Sequence, residues 1–175
     1  MDRLQEAAEI AERLHSELGA LRHHFNVSES LRDVPNLNDQ FAESRFWPQI
    51  DRHLLTALSI SLYKIIELYE KYQSVLPDAP KEQLKSIYKE LVGLGVRDFR
   101  NQFCGHIQDH KTKKPITDEQ VDLHFSKLLA GRTINEIAQW IWDVNHNEDG
   151  TGSCLSGRLE SIANKIYEDK EIKGS

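Results

Sequence analysis

Apolar residues recur along this chain at steps of three and four, the spacing that lines one face of an α-helix. Leu4, Ala7, Ala11, Leu14, Leu18, Leu21 and Phe25 alternate these steps and predict a long amphipathic helix at the start. Leu55, Leu58, Leu62, Ile65, Tyr69 and Tyr72 repeat the pattern between Pro48, whose fixed φ suits a first helical turn, and Pro77. Residues 26–46 mix Asn, Ser, Asp and Pro35 with little periodicity, so they read as a connection with room for a short turn of helix. Leu84, Ile87, Tyr88 and Leu91 mark a third helix, and Gly93 and Gly95 interrupt the pattern after it. Thr117 with Gln120, and Thr133 with Glu136, have capping-box spacing and predict helices near 118–130 and 134–145. After a polar, glycine-containing loop from Asn145 to Gly157, Leu155, Leu159, Ile162 and Ile166 mark a last helix that ends in a charged tail over 168–175. No strand alternation competes with these patterns.

The expected architecture is therefore all-α: residues 1–175 as a single-domain, up-and-down bundle of about six or seven helices, with at least two long ones antiparallel. The narrow seam of the first helix could also pack against a second subunit. A length of 175 residues with 39% apolar content suits one domain with a substantial core. No apolar run approaches the roughly 18 residues of a membrane span, and the charged start MDRLQEAAEIAERL lacks the apolar centre of a secretory signal. A cytoplasmic protein is expected. Cys104 and Cys154 lie far apart without a Cys-x-x-Cys spacing, which suits reduced thiols.

Chemistry concentrates between Arg97 and Lys114, in RDFRNQFCGHIQDHKTKK. On a helical wheel Val96, Phe99, Phe103 and Ile107 form an apolar stripe, with Arg100 on one flank and His106 on the other. Asp109 follows His106 by three residues and Gln102 precedes it by four, spacings at which either side chain can orient the imidazole. An arginine, a histidine and an orienting carboxylate can together grip and cleave a phosphodiester. The same residues can equally be the polar edge of a packed helix.

Arg100-Asn101, the spacer Gln-Phe-Cys-Gly and His106 resemble the arginine, polar residue, short spacer and histidine motif of HEPN domains, helical modules of prokaryotic defence systems. The likeness rests on about a dozen residues and is nearest to the abortive-infection and toxin-type members. It implies a compact all-helical bundle in which two protomers pair so that their motifs line one cleft. It also implies catalytic roles for Arg100 and His106, a supporting role for Asn101, and, in toxin-type members, a nucleotidyltransferase-type antitoxin as partner.

The activity expected from these residues is metal-independent RNA cleavage, without cofactor, in which the ribose 2′-hydroxyl attacks the adjacent phosphorus. His106 would exchange the proton, and Arg100 would stabilise the developing charge. Transfer or messenger RNA would be the substrate, and Lys111, Lys113 and Lys114 would meet its backbone. A net charge of −6 argues against a general nucleic-acid binder and confines any RNA contact to a local patch. The runner-up is a non-catalytic helical interaction or RNA-binding module.

Other candidates carry less. His106 and His110 have a zinc-compatible spacing, but no third ligand is identifiable. His124 falls on an apolar face with Val121, Phe125 and Leu128 and reads as a core histidine, while His23 and His24 read as a helix end. Trp47, Trp140 and Trp142 suit helix anchoring better than base stacking, and the loop from Asn147 to Ser153 lacks phosphate-loop and calcium-loop spacing.

Overall fold

A computed structural model of the chain describes residues 2–41, 46–100, 117–143 and 154–174, and every regular element among them is a helix. The first, α1 (Arg3–Arg32), starts at Asp2, whose carboxylate accepts from the Leu4 N–H at 3.1 Å. Of its predicted seam, Ala7, Ala11, Leu14, Leu18, Leu21 and Phe25 are buried and Leu4 is half-buried. Beyond Phe25 the apolar spacing lapses but the helix continues. The reason is tertiary: Arg32 pairs with Asp51 and lies 5.2 Å from the centre of the Trp47 ring, tying the end of α1 to the next long helix. His23 and His24 are therefore exposed mid-helix residues, not a helix end.

The expected connection over 26–46 is thus partly helical, since α2 (Pro35–Phe41) follows at once, with proline in its first position. The second long helix, α3 (Phe46–Tyr72), buries Leu55, Leu58, Leu62, Ile65, Ile66, Leu68, Tyr69 and Tyr72. Contacts between it and α1 run in opposite directions along the two chains: Arg32 meets Asp51, Glu17 meets Ser61 and Lys64, and Arg3 meets the Lys71 carbonyl. The pair is antiparallel.

Next come α4 (Asp78–Gly93) and the single turn α5 (Val96–Phe99). Both predicted capping boxes are present, opening α6 (Asp118–Leu129) and α7 (Ile134–Ile141). Extended geometry at Trp142, φ −152° and ψ 121°, stops α7 four residues before the expected end at 145. The last helix, α8 (Leu155–Gly174), continues through the charged residues expected to form a tail. Eight helices among the described residues thus exceed the six or seven expected; the short α2 lies in the expected connection, and α5 stands where the helix carrying Arg97 and Arg100 was expected to begin.

The core lies where α1, α3, α4 and α8 meet, with Leu18, Leu58, Leu62, Ile65, Leu84, Ile87, Leu91, Leu159 and Ile162 at 0–1% exposure. Polar contacts tie its rim. Glu90 on α4 accepts from Trp140 Nε1 at 3.0 Å and from Arg158 at 2.7 Å, joining α4, α7 and α8. Gly19 on α1 lies beneath the face of Trp142, where any side chain would collide with the ring. Two tryptophans therefore anchor helices, as expected.

Candidate functional site

The arginine-rich end of α5 is positioned by a glycine turn and an aromatic anchor. Gly95 adopts a left-handed conformation, φ 74°, which redirects the chain from α4 into α5. The stem of Lys127 from α6 covers this glycine, where an added Cβ would lie 3.0–3.1 Å from its outer atoms. Val96 and Phe99 are then buried, at 1% and 3% exposure. Phe99 packs on Phe125 with ring centres 5.1 Å apart and stands edge-on to His124 at 6.0 Å, fixing α5 against α6. The two described members of the predicted apolar stripe thus face the core.

Arg97 and Arg100, one turn apart, both reach the outer side of α3. Arg97 pairs with Glu70, lies 6.0 Å from the centre of the Tyr88 ring and donates to the Tyr88 hydroxyl at 3.5 Å. Arg100 is exposed, with its guanidinium 4.8 Å from the centre of the Tyr63 ring. Tyr63 and Glu70 are seven residues apart, two turns along one stripe of α3. A planar cation on an aromatic face loses rotational freedom.

His106, Asn101, Gln102, Asp109, Lys111, Lys113 and Lys114 lie outside the described residues, as do Phe103, Cys104, Ile107 and His110. Of the predicted catalytic pair, the structure therefore places Arg100. His124 is half-buried; burial lowers its pKa below the ordinary histidine value, Asp98 opposing the shift and Lys127 adding to it. Cys154 is a buried free thiol. Among the described residues no three His, Cys, Asp or Glu side chains cluster to hold a metal, and no helix is long and apolar enough to cross a membrane.

Two further arrangements escaped the sequence patterns. His15 Nδ1 lies 2.8 Å from Ser156 Oγ, a nucleophile-and-base distance, but Ser156 is 0% exposed, so the pair locks the first turn of α8 to α1. A cleft of about 670 Å³ also opens between α1 and α3, with Ile10, Leu14, Leu68 and Tyr72 among its lining residues. Its charged rim is largely self-paired: Glu17 accepts from Lys64 at 2.7 Å and from Ser61 at 2.6 Å, and Lys71 reaches Glu6 at 3.3 Å. Both arrangements join residues from separate helices, so no local motif announces them.

No protein-family model matches the chain, and no curated protein matches it. Among solved structures it is similar to the integron cassette protein Vpc_cass2 from the mobile metagenome of V. paracholerae. The TM-score is 0.60 and the identity 18%, over 89% of this chain and 94% of that one. At this identity the likeness is one of fold: an all-helical single domain.

Proposed function

We propose that this protein is a metal-independent endoribonuclease of the HEPN toxin or abortive-infection type, acting in the cytoplasm as a homodimer. The observation that carries the reading is Arg100, an exposed guanidinium steadied on Tyr63 one residue beyond the buried anchor Phe99. Charge held in place before the substrate arrives stabilises a developing anion without reorganising during the reaction.

In the proposed step the ribose 2′-oxygen forms a bond to the adjacent phosphorus while the bond to the 5′-oxygen breaks. His106 of one protomer takes the 2′-hydroxyl proton and His106 of the second protomer protonates the leaving oxygen. The products are a 2′,3′-cyclic phosphate and a 5′-hydroxyl. Imidazole, with an ordinary pKa of about 6.5, is matched to both transfers near neutral pH. Arg100 neutralises the phosphorane, Gln102 or Asp109 orients His106, Asn101 supports the paired motif, and Lys111, Lys113 and Lys114 bind the backbone. A nucleotidyltransferase-type antitoxin would restrain such an activity.

The test incubates the protein, with chelator present, with structured and single-stranded RNAs including transfer RNAs, and compares it with Arg100→Ala and His106→Ala. Cyclic phosphate ends from the unsubstituted protein, lost in both variants while they remain folded and dimeric, are expected. Intact RNA in every sample would overturn the reading in favour of a non-catalytic helical interaction module.

A further inference from the structure

The cleft between α1 and α3 is closed at both ends by ion pairs that cross it. Glu17 meets Lys64 at 2.7 Å at one end, and Glu6 meets Lys71 at 3.3 Å at the other, where Arg3 also donates to the Lys71 carbonyl. Glu6 and Glu17 are eleven residues apart on α1, so the open length is about 16 Å at a rise of about 1.5 Å per residue. Of the lining residues, Leu14, Leu68 and Tyr72 are buried and Ile10 is half-buried, which makes the floor apolar.

Between the closed ends one further pair of opposite charges stands open. Arg13 lies one turn from Glu17 on α1, and Glu67 one turn from Lys64 on α3. Because the helices are antiparallel, both steps run the same way, into the cleft, and rises of about 6 Å and about 4.5 Å bring the two residues to nearly the same level on facing rims. Both are exposed, both line the cleft, and among the described residues neither has an ion pair within 4.0 Å. The charges of the lining balance, Arg13, Lys64 and Lys71 against Glu17, Glu67 and Glu70, and Glu70 is engaged by Arg97.

We propose that this cleft binds a short apolar peptide with free ends, held across the groove with its carboxylate on Arg13, its ammonium on Glu67 and its side chains on the apolar floor. The site does not depend on the ribonuclease reading. A guanidinium takes a carboxylate through two parallel N–H donors, and a carboxylate takes an ammonium as a point charge. Two or three extended residues span at most about 7–11 Å, which suits charges on facing rims of helices whose axes pack about 8–10 Å apart. A balanced lining offers no net attraction to a polyanion such as RNA. A long partner helix would have to lie over both closing ion pairs, whereas the volume of about 670 Å³ falls within the roughly 300–1,000 Å³ of small-ligand sites.

The test titrates isotope-labelled protein with trileucine and follows the backbone amide resonances of residues 10–17 and 64–72, which flank the cleft. Saturable shifts confined to these stretches are expected, with much weaker binding of the acetylated and amidated trileucine, which has neither end charge. Arg13→Glu and Glu67→Arg should each weaken binding roughly tenfold, because a repulsion replaces an attraction. The double reversal should restore binding, since an all-leucine peptide presents the same side chains when turned end for end. Both positions are exposed, and equal thermal melts certify the fold of each variant. No saturable shift, equal binding of the capped peptide, or a double reversal as weak as either single one would overturn the site.

Discussion

Replacing Gly19 with alanine sets two effects of known size against each other. In an open helix interior the change stabilises by about 1 kcal/mol, because alanine loses less backbone freedom on folding. Here the new methyl would lie 2.7 Å from Trp142 Cζ3, 3.0 Å from Cε3 and 3.2 Å from Cη2. Carbon pairs are comfortable at about 3.5–4.0 Å, so the ring must retreat by roughly 1 Å. His15 limits that retreat, its ring tilted against Trp142 at 4.7 Å between centres. Overpacking of this kind costs about 1–3 kcal/mol, and the helix gain offsets about 1, leaving a net loss of up to about 2 kcal/mol. For a chain of 175 residues that lowers Tm by up to about 8 °C. In a Trp142→Ala background the methyl meets no ring, and the same substitution should stabilise by about 1 kcal/mol. Urea unfolding of the four proteins in this double-mutant cycle gives a coupling energy of about 1–3 kcal/mol. Equal stabilisation in both backgrounds would refute the contact between α1 and the end of α7.

Tyr63→Ala should slow the proposed RNA cleavage by roughly 2–5-fold, matching about 0.5–1 kcal/mol for a cation on an exposed ring, while Tyr63→Phe keeps the unsubstituted rate. Equal rates for all three proteins would show that the ring does not position Arg100. Because the folded pKa of His124 is depressed, its neutral form contributes stability fully present above the unfolded value of 6.5 and lost as pH falls through the folded value. Urea midpoints of the unsubstituted protein should therefore drop more steeply than those of His124→Gln as pH falls below about 6.5. Parallel pH profiles would contradict the burial of this imidazole.

The helices that were legible in the sequence are those whose signals are local. The seam from Ala7 to Phe25 and the two threonine capping boxes write their geometry into neighbouring residues, and the structure carries all three. What escaped notice depends on distant partners. Residues 26–32 hold their helix through Asp51 and Trp47, far along the chain, and no periodicity reports that. The end of α7 is set by Trp142 settling onto Gly19, a contact between residues 123 positions apart. At the candidate site, Phe99 and Arg100 were readable as a buried anchor beside a surface cation because both properties follow from position on one helix. That Tyr63 supplies the platform, and that Arg97 is engaged by Glu70, depends on how α5 lies on α3.

The partnership of α1 with α8 also bears on how the chain acquires its shape during synthesis. His15 meets Ser156 across 141 residues, and Glu12 accepts from the Tyr167 hydroxyl across 155. A ribosome that has delivered everything up to Asp143 has produced α1, α3 and α4 but nothing to cover the side of α1 that α8 will occupy. Contacts so distant in sequence slow folding, since the entropy of closing a long loop is lost before any packing offsets it. α1 thus waits for α8, and a nascent chain interrupted before α8 presents to its surroundings apolar surface that the fold buries.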